Sequence, residues 1–212
     1  MDIKKNLNNE VMEDSAYYTD ECRKLFELRM SLVPYLYSAF EEYQKSGLPP
    51  VRAVAMEYPA DEAVRNLDDE YFFGKDLLVC PLTLEDGTSR EVYLPAGIWY
   101  NFFTGEKIEG GKNIIMQADW NEMLVFAREG VVILLAKPNL SITKDIVFEI
   151  TIKKFGKSGS CELYEDDFVS FDYEKTAEKK KISIIADGDE TIAVYGAKTS
   201  RKYCFLNATV KD

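Results

Sequence analysis

The sequence predicts a mainly β protein: an N-terminal helix followed by two antiparallel β-sandwich domains. Three observations predict it. Apolar residues recur at helical spacing only before residue 50. After that, short runs rich in Val, Ile, Tyr and Phe alternate with turn residues. The runs pause over residues 136–145 (AKPNLSITKD) and then resume, which splits the β region in two. The expected division is a helical segment over 1–48, a proximal sandwich over 49–138 and a distal sandwich over 139–212.

Each element follows in order. Residues 1–14 are polar and give no periodic signal. Thr19, with Asp20 and Glu21 behind it, reads as a helix start: a capping hydroxyl, then acids at the positive end of the helix dipole. Leu25, Leu28, Leu32, Leu36, Phe40 and Tyr43 form an apolar stripe, so residues 20–46 are expected to be helical. Pro34 lies inside the stripe and should kink or divide the helix near Val33. Gly47, Pro49 and Pro50 end it. The runs VRAVAMEY, EYFFG, LLVCPL, REVYLP, IWYNFF, NIIMQA, MLVFA and VVILL then read as strands of the first β unit. IVFEITI, SCELYED, VSFDYE, KISIIA, TIAVYGA and KYCFLNATV read as strands of the second. Gly156-Lys157-Ser158-Gly159 and Asp187-Gly188-Asp189 mark hairpin turns.

Composition narrows the function. A chain of 212 residues with 46% hydrophobic residues can bury a full core without metal or disulfide staples. Its net charge of −11 repels phosphate backbones and anionic membranes, so neither nucleic acid nor membrane is an expected partner. The first residues hold no apolar leader segment, which points to the cytoplasm. Cys22, Cys80, Cys161 and Cys204 are widely spaced and read as free thiols. Two matches to the glycosylation acceptor pattern, at Asn139 and Asn207, carry little weight without secretion. There is no histidine, which removes Ser–His and Cys–His nucleophiles and the commonest zinc ligand. Hydrolysis by this chain would need carboxylates.

Six segments, in order, resemble the region that follows the catalytic barrel in glycoside hydrolase family 31, the retaining α-glucosidases and α-xylosidases. They are LRMSLVPYLYSAF (Leu28–Phe40), GLPPVRAVAMEYPAD (Gly47–Asp61), DDEYFFGKDLLVCPL (Asp68–Leu82), the stretch Arg90–Gly111 with REVYLPAGIWYNFFTG, MLVFAREG (Met123–Gly130) and LYEDDFVSFDY (Leu163–Tyr173). Framework positions depart from the family pattern at Met123 and Phe168, where proline and glycine are usual. The resemblance implies a last barrel helix, then a proximal and a distal sandwich. It also implies that the two catalytic carboxylates lie on barrel strands absent from this chain. On that reading the parent enzyme needs no organic cofactor and meets α-linked oligosaccharides through its barrel. This portion is not catalytic, and its partner is the catalytic barrel. A helix stripe left uncovered would also support self-association.

Asp68, Asp69 and Glu70 form an acidic cluster, but neighbouring strand residues project to opposite faces and converge poorly on one bond. Turn capping and pairing with Arg52 or Arg65 is the expectation there. Glu165, Asp166 and Asp167 lack the interleaved spacing of a calcium loop. No catalytic, cofactor or metal residue is assigned. Arg128, set between apolar strands, should hold a structural ion pair. Trp99, Tyr100, Phe102 and Phe103 are the candidate carbohydrate contacts, since flat aromatics suit the apolar faces of sugars. They support an alternative class, a stand-alone carbohydrate-binding or protein-interaction module.

Overall fold

The computed structural model describes residues 15–82, 88–119, 121–139, 141, 146–164, 181–195 and 202–211. Helix α1 (Ser15–Ser31) and helix α2 (Val33–Ser46) form the N-terminal pair. The break falls at Leu32, where the expectation put it. Pro34 stands in the first turn of α2, where its missing N–H costs nothing. Gly47 ends α2 in the left-handed conformation (φ 75°), donating its N–H to Tyr43 O. Thr19 does not start the helix. The chain is already helical at Ser15, the first described residue, and no glycine or proline interrupts residues 15–18.

The strands are β1 (Val51–Ala53), β2 (Tyr71–Phe73), β3 (Leu77–Cys80), β4 (Ser89–Leu94), β5 (Ile98–Asn101), β6 (Lys107–Glu109), β7 (Lys112–Gln117) and β8 (Leu124–Arg128). They continue with β9 (Val131–Ala136), β10 (Val147–Phe155), β11 (Ser158–Tyr164), β12 (Lys181–Asp187), β13 (Glu190–Tyr195), β14 (Lys202–Phe205) and β15 (Thr209–Lys211). The run VRAVAMEY is not one strand. After Ala53 it turns into a single helical turn, α3 (Val54–Glu57), which brings Glu57 back onto Arg52.

Three sheets result. The first has the order β1-β2-β3-β8-β5-β6, the second β14-β10-β9-β11-β12-β13-β15, and β4 pairs with β7 as a separate ribbon. Most pairings are antiparallel. Three are parallel: β10 with β14, β11 with β9, and β13 with β15. VVILL, read with the first β unit, is hydrogen-bonded as part of β9 in the second sheet, all six residues of the strand pairing with β10.

Side-chain alternation explains how the layers stack. In β3, Leu78 and Cys80 face one core while Leu77 and Val79 face another. β9 repeats the device: Val131 and Ile133 face the core shared with the first sheet, whereas Val132, Leu134 and Ala136 face the core of the second. Strands buried on both faces read as continuous apolar runs, as LLVC and VVILLA do. The first core lies between the first sheet and the β4–β7 ribbon, with Phe72, Trp99 and Phe126 at its centre. The middle core joins the first sheet, β9, β10 and the helix residues Leu28, Leu32 and Tyr35. The third is held within the second sheet by Ile150, Ile182, Ile184 and Phe205.

Tyr35 fastens the helices to this stack. Its hydroxyl donates to Phe73 O (2.8 Å) and accepts from Asp76 N (3.1 Å), closing the β2–β3 hairpin. Gly74 is required at that turn: φ is +65°, and a Cβ would stand 2.1 Å from the Tyr35 oxygen.

Candidate functional site

Two of the three acids that raised the question of catalysis, Asp69 and Glu70, are committed to one arginine. Asp69 Oδ2 receives Arg90 Nη2 at 2.7 Å, and Glu70 Oε1 lies 3.4 Å from the same nitrogen. Arg90 is therefore the partner, not Arg52 or Arg65. It sits on β4, 20 residues beyond Glu70, where the ribbon crosses the start of β2. Arg90 also donates to the carbonyls of Asp69, Pro81 and Glu91. Glu70 Oε1 accepts from Tyr93 N at 2.8 Å. Its Oε2 is buried without a full hydrogen bond, the buried Cys80 thiol being its weak-donor neighbour. Burial pushes the Glu70 carboxyl up to about 7 against the opposing pull of Tyr93 N–H and Arg90. A carboxyl so enclosed ties the start of β2 to β4.

Arg52 and Arg128 share one carboxylate. Glu57 Oε1 lies 2.6 Å from Arg52 Nη2, and Glu57 Oε2 lies 2.9 Å from Arg128 Nη2. Arg128 thus holds the ion pair expected of it. Its guanidinium also rests over Phe72 (4.6 Å), Tyr58 (5.2 Å) and Trp99 (5.9 Å). Arg65 pairs locally with Glu62 on the surface.

The four aromatics do not form one stacking platform. Strand alternation sends Trp99 into the first core, where it is 1% exposed and donates Nε1–H to Pro95 O. Phe102 enters the middle core on the other side of the sheet and is 3% exposed. Tyr100 is half-buried and bonds Glu129, and Phe103 alone is exposed. Large aromatics on both faces of a doubly covered sheet are consumed by packing. Trp120 and the Glu165–Asp167 cluster lie outside the described residues.

The outstanding surface is on α1. Leu28 and Leu32 face the middle core, while Tyr18, Leu25, Phe26 and Met30 are exposed, Phe26 at 68%. Between α1 and the first sheet runs an apolar cavity of about 280 Å³, lined by Leu25, Leu28, Tyr71, Phe73 and Met123 among others. A helix with apolar residues on two sides is built to be covered from two sides. Sequence periodicity found the inner side; the outer one is visible only once the inner one is placed.

Residues 47–133 match the family model described as the glycosyl hydrolase family 31 C-terminal domain. This is a family 31 C-terminal region. The chain is 34% identical over 160 residues to an alpha-xylosidase of Saccharolobus solfataricus, covering 74% of this chain and 22% of the relative. It is 34% identical over 155 residues to alpha-glucosidase 2 of Bacillus thermoamyloliquefaciens, covering 72% of this chain and 20% of the relative. Among solved structures, a family 31 dextranase of Flavobacterium johnsoniae superposes with a TM-score of 0.76 at 32% identity, over 86% of this chain and 24% of that one. The family 31 alpha-xylosidase of Xanthomonas citri gives 0.75 at 28% identity, over 93% of this chain and 23% of that one. The first curated relatives are thus much longer: the family 31 region spans between 20% and 27% of them. No helix among the described residues is long and apolar enough to cross a membrane.

Proposed function

We propose that this chain is the non-catalytic C-terminal portion of a retaining α-glycosidase, of α-glucosidase or α-xylosidase type, serving carbohydrate metabolism. It braces the catalytic barrel and is inactive alone. The observation that carries this reading is the doubly apolar α1. The helix packs inward through Leu28 and Leu32 and presents Phe26 and Met30 outward, a face suited to the barrel. The pairing of Asp69 and Glu70 with Arg90 supports the absence of chemistry here, since retaining hydrolysis needs two free carboxyls roughly 5 Å apart across a sugar. The units we propose run over 1–48, 49–138 and 139–212, with β9 as the strand that the second sheet borrows from the middle unit. Four free cysteines agree with a cytoplasmic setting.

The test is reconstitution. A separately produced catalytic barrel of the same enzyme should gain activity on a nitrophenyl α-glucoside or α-xyloside when this chain is added, and the chain alone should show none. The same face uncovered should drive self-association, read as a mass that rises with concentration in light scattering. Turnover by the chain alone would overturn the reading. A dilute monomer that binds neither the barrel nor a hydrophobic dye would leave the alternative, a stand-alone binding or interaction module.

A further inference from the structure

The outward face of the β4–β7 ribbon carries polar groups that the fold does not use. Antiparallel pairing sets Glu91 beside Ile115 and Tyr93 beside Asn113. Alternation turns Glu91, Asn113 and Ile115 outward, while Val92 and Leu94 point into the first core and the half-buried Tyr93 packs against its edge. Beside them opens a cavity of about 600 Å³, whose wall also includes Leu67 and Asp69. The Tyr93 ring is fixed at its rim because its hydroxyl donates to Asp61 Oδ2 at 2.7 Å. Ile115 is 74% exposed and adds apolar surface to this face. The side chains of Glu91 and Asn113 make no hydrogen bond or ion pair within the described residues.

We infer that this ribbon face is a binding site for a neutral pyranose ring. A half-buried aromatic and exposed aliphatic carbons fit the apolar C–H face of a sugar. A planar amide and a planar carboxylate alongside fit adjacent hydroxyls, one giving and taking hydrogen bonds and the other accepting. The cavity has room for one or two rings. Charge selects among ligands. Arg90 is already held by Asp69 and Glu70, so Glu91 leaves the wall acidic and unsuited to phosphates or sugar acids. This site is separate from the Trp99–Phe103 stretch, and it rests on the proposed function only for the choice of α-glucosides and α-xylosides as first probes.

Titration of the full chain with isomaltotriose, maltotriose and a xylo-oligosaccharide, followed by calorimetry or ligand-observed NMR, decides it. Saturable binding is expected with a dissociation constant on the order of 1 mM, as shallow polar sites give. Asn113→Ala and Glu91→Gln should each weaken it by about fivefold or more, with unchanged thermal melting, because neither group is bonded in the fold. Phe103→Ala should leave it unchanged. No saturation, binding that survives both ribbon variants, loss in Phe103→Ala, or tighter binding of glucuronic acid would each overturn the inference. None of these outcomes bears on reconstitution with the barrel, so the two readings fail separately.

Discussion

The first and second sheets are stabilised by different chemistry. Every buried charged or polar side chain among the described residues, Arg52, Glu70, Arg90 and Asn101, belongs to the first sheet or the ribbon on it. The second sheet holds an aliphatic core of Ile150, Ile182, Ile184 and their neighbours, with no buried charge among the described residues. The difference follows from strand length. The first sheet is made of strands of three to five residues, with ladders too short to fix their own register. Its charged side chains tie segments far apart in sequence: Arg52 and Arg128 through Glu57, Glu70 and Arg90 across β2 and β4. Strands β10, β11 and β12 have nine, seven and seven residues, and their backbone pairing is enough. Buried ion pairs here give position more than stability.

Removing one member of the shared cluster should be the sharpest way to break that contrast. Glu57→Ala leaves buried Arg52 with only the more distant Glu42 at 3.9 Å, and Arg128 without its carboxylate. The expected loss is about 4 kcal/mol in urea unfolding. A loss below about 1 kcal/mol would mean the arginines find water or other acids, and that the first sheet is not held by charge.

The next effect is on pH. Glu70 has its folded carboxyl raised from 4.5 to about 7, so its contribution is whole below pH 4.5 and is lost as pH rises to about 7. The shift corresponds to about 3 kcal/mol. Asp76, raised from 3.8 to about 6 by burial, acts in the same direction at lower pH. The stability difference between the wild type and Glu70→Gln, followed from pH 4 to 8, should therefore change by about that amount in favour of the variant. A flat difference would show that Arg90 keeps Glu70 ionised throughout.

Two smaller changes test the second sheet. Asn207 accepts from Ile152 N and donates to Ile152 O, both at 2.8 Å, acting as a piece of strand beside β10. Asn207→Ala should cost about 2 kcal/mol by leaving both backbone groups unpaired. The same two bonds make Asn207 a poor glycan acceptor. Lys153 joins the sheets by resting its ammonium over Phe102 (4.6 Å) and Phe155 (5.6 Å). Lys153→Met keeps the stem and removes the charge, at an expected cost of about 0.5–1 kcal/mol in thermal unfolding. An effect as large as that of Glu57→Ala would place charge at the junction as well as in the first sheet.

What the sequence disclosed follows from the range of each interaction. The helix break was legible because Pro34 acts on its own turn, and the strand runs were legible because alternation is local. The double burial of LLVC and VVILLA was also written in their unbroken apolar character. Sheet membership was not: β9 could have paired on either side, and its partner β10 lies beyond the 136–145 joint. Arg90 was missed as the partner of Glu70 because 20 residues and a change of layer separate them. Which core receives Trp99 and which receives Phe102 was not legible, since the two look alike as residues. The ribbon site carries no sequence motif; unremarkable residues acquire a shared face only when β4 meets β7.

The passage from β8 to β9 consists of Glu129 and Gly130. Glu129 N–H is bound to Ile98 O at 2.9 Å in the first sheet, and Gly130 N–H to Phe155 O at 2.8 Å in the second. Gly159 approaches so closely that a methyl group there would strike Gly130 O. A connector anchored at each end to a different layer works like the corner of a try-square. It fixes the angle between the two halves and passes torque from one to the other, so whatever is bolted to the first half inherits the orientation of the second. One added residue at that corner would swing the whole far end of the molecule out of line.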